Sequence, residues 1–242
     1  MVHENPLHQF TIQRLIPIHI GGVDASFTNA ALVMTLAVVM VTSFIVLTMR
    51  RAALVPGRWQ SVTEMLYEFV ADMVDTNAGH GARPYFPFVF TLFTFILLGN
   101  LLGMIPYSYT FTSQIIVTFA LALTVFIGVT IIGIVKHGFG FLRLFVPQGV
   151  PAVLLILLVP IELLSYVIRP FTLSIRLFAN MLAGHTMLAI FAGFVVALGI
   201  VGVLPLAVDV ALVLLEMLVA VLQAYVFAIL TCLYLSDALH LH

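Results

Sequence analysis

Residues 204–236 read LPLAVDVALVLLEMLVAVLQAYVFAILTCLYLS, a stretch in which Asp209 and Glu216 are the charged side chains. The stretch before it, residues 150–203, is similarly apolar and carries Glu162, Arg169 and Arg176. As continuous helices at about 1.5 Å per residue, the two stretches would be about 45 and 75 Å long. A hydrocarbon core is only about 30 Å thick, so neither helix fits upright across a membrane.

The two stretches therefore predict a hairpin of long, strongly tilted membrane helices, over 150–203 and 205–236. We place its turn around Gly199, Gly202 and Pro205. Short re-entrant segments are the alternative, because proline interrupts helices and the first stretch contains Pro151, Pro160 and Pro170.

Three more uncharged stretches are each long enough to cross a membrane once: 27–49, 86–105 and 111–135. The first is followed by Arg50 and Arg51 and the third by Lys136 and Arg143. Because Lys and Arg collect on the cytoplasmic or matrix side of a membrane, both loops lie on the inner side. The second stretch ends outside at Pro106, and the N-terminus is also expected outside.

Residues 59–77 differ from these stretches, because acidic residues alternate with apolar ones at helical spacing. The pattern predicts an amphipathic helix on the inner membrane surface, which either packs on the ends of the spans or docks a partner. Its apolar residues are Val62, Met65, Leu66, Phe69, Val70, Met73 and Val74, and its acidic residues are Glu64, Glu68, Asp72 and Asp75.

The composition of the 242 residues agrees with a membrane protein. Hydrophobic residues make up 63% of the chain and charged residues 8%. Soluble domains are usually about 25% charged. The net charge of −1 offers no basic surface for nucleic acid, and the single cysteine, Cys232, excludes an internal disulfide. We predict one all-α, polytopic integral membrane domain over residues 1–242, with about five or six membrane helices and one surface helix.

Ionisable side chains inside a membrane are functional candidates, because each costs about 2.5 to 3.5 kcal/mol even on mild scales. Glu162, Arg169 and Arg176 are seven residues apart, so a helix that continues through Pro170 places them on one face. Asn180 lies within about 40° of Arg176 on that helix.

A second stripe has the same spacing, with Asp209, Glu216 and Gln223 seven residues apart. His185 is nine residues beyond Arg176, about 180° around the helix, so it cannot share the face of that arginine. We expect His185 to meet the other long helix near Glu216.

These residue types indicate a proton path in two parts. Glu and His take up and release protons near neutral pH when their surroundings favour it, whereas Arg stays protonated. Arg176 is therefore interpreted as a fixed charge that repels a passing proton and attracts a partner's carboxylate. Each of these residues also has a purely structural interpretation. The two arginines could pair with Glu162, or Arg169 could extend to the membrane interface. His185 and Glu216 could form a plain hydrogen bond, Asp209 could be hydrated, and Asn100 and Gln223 could form interhelical amide hydrogen bonds.

Residues 173–185, LSIRLFANMLAGH, and 222–235, LQAYVFAILTCLYL, resemble motifs of the subunit a family of F-type ATP synthases. That family forms the stator beside the rotating ring of c subunits. The N-terminal stretch PLHQFTIQRLIPI, residues 6–18, and the order of the spans resemble it too, so the resemblance covers essentially the whole chain.

Carried over position by position, the resemblance implies that Arg176 faces a ring carboxylate and separates two half-channels. It places Glu162 in the half-channel open to the inner compartment. Gly103 stands where some relatives carry an acid, which leaves Asn100 as the contribution of the second span. The outer half-channel would comprise Asn100, Asn180, His185, Glu216 and Gln223, and Asp209 and Arg169 are further candidates.

The resemblance also implies the partners and the location of the chain. The expected partners are the c-ring, the peripheral stalk subunit b, other F-type ATP synthase subunits, membrane lipid and protons. The chain itself would be no enzyme and would need no cofactor or metal, and it would couple the proton motive force to ATP synthesis. A bacterial inner membrane is expected, with the mitochondrial inner membrane as the alternative.

An ion-coupled secondary transporter is the main competing function, with Arg176 and Glu216 binding substrate at the midplane. It predicts pseudo-symmetry between the two halves of the chain, which the sequence lacks. A haem-bearing subunit requires paired histidines on facing spans, and of the eight histidines only His185 lies deep in an apolar stretch. The hydrolase motifs H-E-x-x-H and G-x-S-x-G and a P-loop are not found.

Overall fold

The computed structural model describes residues 11–17, 19–20, 23–24, 26–50, 53, 55–105, 108–146 and 152–239. Six α-helices lie in this part of the chain: α1 (Asn29–Met49), α2 (Arg58–Ala78), α3 (Phe86–Gly103), α4 (Ile115–His137), α5 (Ala152–Leu198) and α6 (Val203–Leu239). Several residues on which the sequence-based predictions rest lie outside the described residues. They are 6–10, 18, Arg51, Pro106 and Pro151.

Four stretches of the described chain are long and apolar enough to cross a membrane: Asn29–Met49, His80–Gly103, Ile115–His137 and Leu154–Leu239. The last of them contains nearly all of α5 and the whole of α6. The described chain therefore has five long apolar helices in addition to α2, and the predicted all-α polytopic fold is confirmed.

Local hydrogen bonding moves some helix ends away from the expected positions. Helix α1 begins at Asn29, because the Thr28 hydroxyl caps it. This hydroxyl accepts from the Ala31 amide at 3.3 Å. Helix α4 begins at Ile115, because Phe111–Ser113 forms a separate 3-10 turn.

The long helices α5 and α6 contain 47 and 37 residues, and α5 continues through Pro160 and Pro170 without a break. Their lengths are about 70 and 55 Å, so both must run obliquely to the normal of a bilayer about 30 Å thick. The helix is therefore not broken into re-entrant segments at these two prolines. The two long helices instead form the predicted helical hairpin.

The turn between α5 and α6 is the 3-10 segment Gly199–Gly202. Gly199 has a φ of 55°, which side chains with a Cβ rarely adopt. At Gly202 a Cβ would lie 2.5 Å from the carbonyl oxygen of Val195, so the turn admits only glycine there without a shift of backbone.

We expect Gly202→Ala to destabilise the turn by about 1 to 3 kcal/mol, the usual cost of forcing an extra carbon into a packed site. For a chain of this size that corresponds to a fall of about 2 to 10 °C in the midpoint of heat-induced aggregation in detergent. Gly193→Ala is the matched control, since a Cβ at Gly193 meets nothing within 4 Å. Equal midpoints for the two variants would contradict the close approach at Gly202.

The chain divides into two compact units. The first unit comprises residues 1–52, 94–115 and 177–224, and the second comprises residues 53–93, 116–176 and 225–242. Fully buried side chains of the first unit include Ile96, Phe111, Leu177 and Met181, and those of the second include Val70, Val89 and Phe227.

Helix α2 belongs to the second unit and packs by one edge, where Val70 and Val74 are buried. The Phe69 ring lies 5.7 Å from the Phe93 ring and 5.9 Å from the Tyr225 ring, measured between centroids. Other apolar side chains of the same helix, Trp59 and Met65 among them, are exposed. The helix thus packs on neighbouring helices and also leaves an apolar edge for lipid or a partner.

Short strands precede α1 in the first unit, and the sequence pattern did not predict them. Strand β1 (Arg14–Ile16) pairs with β4 (Phe27–Thr28), and β2 (His19–Ile20) pairs with β3 (Val23–Asp24), both antiparallel. The side-chain amide of Asn29 joins the residues before β1 to the start of α1 by donating to the Thr11 carbonyl at 3.2 Å. Strands of two or three residues are too short for a recognisable alternation.

Candidate functional site

His185 on α5 and Glu216 on α6 face each other inside the first unit. The Nδ1 atom of His185 contacts the Oε1 atom of Glu216, and the two side chains are only 10% and 4% exposed. Gly184 makes room for the carboxylate, since a Cβ there would lie 2.6 Å from Oε1 of Glu216. The helical spacing that predicted a meeting of these two residues agrees with this contact.

The other ring nitrogen of His185 points to the end of α3 and the segment after it. Nε2 lies 3.0 Å from the carbonyl oxygen of Gly103 and 2.9 Å from the hydroxyl oxygen of Thr110. The Met181 carbonyl lies 3.0 Å from Nδ1. Thr110 is 75 residues from His185 in the chain, so no local pattern could have connected them.

Two amide side chains extend this polar cluster along α6. Asn180 donates from Nδ2 to Oε1 of Gln223 at 2.8 Å, and Asn100 donates from Nδ2 to the Ala220 carbonyl at 3.0 Å. We call the whole set the outer cluster. It consists of Asn100, Thr110, Asn180, His185, Glu216 and Gln223, all of the first unit.

Several polar atoms of the outer cluster are buried and lack a hydrogen-bond partner among the described residues. They are Oδ1 of Asn100, Oε2 of Glu216 and Nε2 of Gln223. Buried polar groups normally have hydrogen bonds, since leaving one unsatisfied costs about 1 to 3 kcal/mol. The cluster therefore retains capacity to bind a proton or water.

Asp209 lies apart from the outer cluster. It is half-buried on α6, and its Oδ1 atom has no hydrogen-bond partner within the described part of the chain. It precedes Glu216 by seven residues, or about 10 Å along the helix axis.

In the second unit, Arg169 donates from Nη1 to Oδ2 of Asp237 at 2.8 Å. Its guanidinium carbon also lies 5.4 Å from the Tyr166 ring centre and 4.9 Å from the Tyr234 ring centre. Both distances are within the range of cation–π attraction. Arg169 is thus paired with Asp237, a residue that sequence reasoning did not single out. Asp237 lies one residue beyond the apolar stretch 204–236.

Glu162 and Arg176, also in the second unit, differ in exposure: Glu162 is half-buried and Arg176 is exposed. Neither forms an ion pair with another described residue. Ile175, the neighbour of Arg176, has half of its surface exposed. A permanent positive charge therefore projects from an apolar helix surface.

The second unit also contains an open cleft of about 510 Å³, which Tyr67 and Phe86 help to line. Its charged groups bind each other: Arg83 donates from Nη2 to Asp75 at 2.9 Å. The hydrogen bond from Arg83 holds the pKa of Asp75 below its usual value, so this carboxylate stays ionised. Nowhere in the described residues do three His, Cys, Asp or Glu side chains lie close enough together to hold a metal ion.

Comparisons with known proteins give one consistent result. Residues 31–236 match the family model described as ATP synthase A chain. The chain is 59% identical to ATP synthase subunit a of Parvibaculum lavamentivorans, over 98% of this chain and 94% of that protein. It is also 59% identical to ATP synthase subunit a of Mesorhizobium japonicum, over 98% of this chain and 96% of that protein. The identity to ATP synthase subunit a of Rhodospirillum rubrum is 54%, over 98% of this chain and 99% of that protein.

Proposed function

The chain belongs to the ATP synthase A chain family, and we propose that it is the stator subunit that passes protons to and from a rotating c-ring. In this proposal it forms two aqueous half-channels, one open to each side of the membrane. Protons move between them only on carboxylates of the ring. The chain binds no nucleotide and carries out no chemistry of its own beyond this transfer.

The exposed charge of Arg176 is the observation that carries the proposal. An arginine on an apolar, lipid-facing surface is unfavourable by at least about 2.5 kcal/mol unless an anion or water meets it. A carboxylate of the ring, at the same depth in the membrane as Arg176, provides that anion. Because guanidinium does not lose its proton under ordinary conditions, Arg176 attracts an ionised carboxylate and blocks direct passage of a proton.

The outer cluster supports an entry path from outside. Its acid and its imidazole are in contact, and its unpartnered buried atoms call for water or a proton. We place Asn100, Asn180, His185, Glu216 and Gln223 along this outer half-channel, with Asp209 nearer its mouth.

Glu162 is the proposed group of the inner half-channel. It precedes Arg176 by fourteen residues on α5, and the Arg169–Asp237 pair lies in the same unit. Since Arg169 is neutralised by Asp237, it leaves Glu162 available to receive the proton that a ring carboxyl releases. Arg169 is thus proposed to have a structural role beside the inner path.

The energy for rotation comes from the membrane potential. One elementary charge that crosses 100 mV releases about 2.3 kcal/mol, and each turn of a ring repeats this for every carboxylate. A protonated, neutral carboxyl can face lipid, whereas an ionised one is held by Arg176. The ring therefore advances in the direction that protonation from the outer path allows.

The proposed orientation puts the N-terminus outside a bacterial inner membrane, where the chain works with other ATP synthase subunits. Lys136, at the end of α4, donates from Nζ to the Leu239 carbonyl at the end of α6 at 3.2 Å. These two helix ends therefore lie together. Because lysine favours the inner side, the end of α6 belongs there too.

Copurification from detergent-solubilised membranes tests this assignment. We expect a tagged chain to bring down a soluble ATPase, a small two-helix subunit that assembles as a ring, and a stalk subunit. The secondary-transporter alternative predicts that the chain purifies alone or as a homo-oligomer. Isolation of the chain without any ATPase activity, from membranes in which that activity is abundant, would refute the proposal.

A further inference from the structure

Thr110 and Gly103 contact the imidazole of His185 from one side. Both lie in the first unit, and Thr110 is only 3% exposed. The contacts are with Nε2 of His185, the nitrogen that points away from Glu216. Their role in holding the His185 ring rests on the proposed function and deepens it.

The hydrogen-bonding roles follow from the atoms involved. A carbonyl can only accept, so Nε2 must carry a hydrogen to bond with the Gly103 oxygen at 3.0 Å. The Thr110 hydroxyl lies 3.3 Å from the same carbonyl and donates to it. Its oxygen then accepts from Nε2 at 2.9 Å, so the single Nε2 hydrogen is shared between this hydroxyl oxygen and the Gly103 carbonyl.

Gly103 has a second part in this arrangement. A Cβ at this position would lie 2.6 Å from the Thr110 hydroxyl oxygen and 2.7 Å from its methyl carbon. Any larger residue would push Thr110 away from the ring. The absence of a side chain at Gly103 therefore allows the hydroxyl to reach the histidine.

We propose that Thr110 and Gly103 are positioning residues that fix the tautomer of His185, so that Nε2 keeps its hydrogen and only Nδ1 exchanges a proton. The hydrogen bond made by one ring nitrogen decides which nitrogen is free to react. The exchangeable proton then lies on the side of Glu216. When it moves, the Nδ1–H bond breaks, an O–H bond forms on Oε1 of Glu216, and the ring becomes neutral with its hydrogen on Nε2.

Glu216, from α6, is the titratable group that this geometry sets against the ring. Helix α5 contributes the Met181 carbonyl, which lies 3.0 Å from Nδ1 and accepts from this nitrogen only while the ring carries both hydrogens. That bond is lost when the Nδ1 proton moves to Glu216, whereas the Gly103 carbonyl of α3 keeps its hydrogen on Nε2. These carbonyl groups do not titrate, so the proton is shared between His185 and Glu216.

The test uses membrane vesicles that contain the whole complex, with ATP-driven proton pumping as the readout. Thr110→Val keeps the shape of the side chain and removes the hydroxyl. We expect pumping to fall about threefold to tenfold, the range for one lost hydrogen bond. Thr110→Ser restores the hydroxyl and should recover most of the wild-type rate, whereas a loss due only to packing would not recover.

Thr112→Val is the matched control. Thr112 is fully buried in the same segment, and its hydroxyl has no hydrogen-bond partner among the described residues. Its replacement by an isosteric apolar side chain should leave pumping close to wild type. A loss equal to that of Thr110→Val, or normal pumping by Thr110→Val, would overturn the inference.

His185→Ala, measured in the same vesicles, separates this inference from the proposed function. If His185→Ala pumps normally, the outer cluster is not a proton path and the proposed function of the cluster fails. If His185→Ala is defective and Thr110→Val is normal, only the positioning role of Thr110 and Gly103 fails. Gly103→Ala should resemble Thr110→Val, because both remove the hydroxyl from the ring.

Discussion

Arg176→Ala is expected to abolish ATP-driven proton pumping while ATP hydrolysis by the soluble part of the complex remains measurable. The expected loss is at least about a hundredfold, which corresponds to about 2.7 kcal/mol or more. Membrane vesicles with a pH-sensitive dye measure pumping, and phosphate release from the same vesicles measures hydrolysis.

The reason is the position of the charge. Arg176 is exposed on α5 and forms no ion pair with another described residue, so its charge is available to a carboxylate that passes. In the proposed mechanism, loss of this charge leaves the ionised ring carboxylate without a counter-ion and allows protons to leak between the two half-channels.

Arg58→Ala is the matched control, because Arg58 is exposed at the start of the amphipathic helix α2 and should not affect pumping. Arg176→Lys keeps a positive charge but loses the planar fork of donors, so it should recover part of the activity at most. Wild-type pumping by Arg176→Ala, in vesicles with a normal amount of the chain, would exclude the assigned role.

The second large effect concerns the exchange of His185 and Glu216. His185→Glu alone places two carboxyl groups against each other in a buried site, and Glu216→His alone removes the acid from the pair. Each single variant should pump about a hundredfold more slowly, as expected when a proton-transfer group is lost. The double variant restores an acid that faces a histidine, so we expect it to recover to within about tenfold of wild type.

His80→Glu is a control for the same chemical change outside the outer cluster, since the His80 side chain is 85% exposed. It should pump normally. The amount of chain in the membrane is measured by immunoblot for every variant, because a buried like-charge pair also lowers stability. A double variant no better than the worse single variant would show that the two residues act separately.

The long helices could be predicted because a membrane helix is recognisable from the composition and length of one continuous stretch of sequence. Uncharged stretches of fixed minimum length identify α1, α3 and α4, and the family resemblance was confirmed by the comparisons. The continuity of α5 was left open, since proline ends most helices in water. Within an apolar environment, neighbouring groups satisfy the carbonyls that proline frees, and α5 continues through Pro160 and Pro170.

For the site, the sequence predicted the residues that share one helix or face each other at regular spacing. The seven-residue stripe placed Glu216 and Gln223 on one face of α6, and the rotation of α5 turned His185 away from Arg176, where it was expected to meet Glu216. Thr110 and Asp237 escaped prediction for a different reason. Their partners, His185 and Arg169, lie 75 and 68 residues away, and such contacts depend on how the helices fold together.

The turn Gly199–Gly202 also sets a dimension of the protein. The contacts of His185 with Glu216 and of Asn180 with Gln223 both depend on the number of residues between the two helices. One inserted residue that continued the helix would shift α6 by about 1.5 Å and rotate it by about 100°, which would turn both side chains away from their partners. We therefore expect that an insertion or deletion at this turn would disrupt both contacts. Most proteins tolerate changes of length in surface connections such as this one.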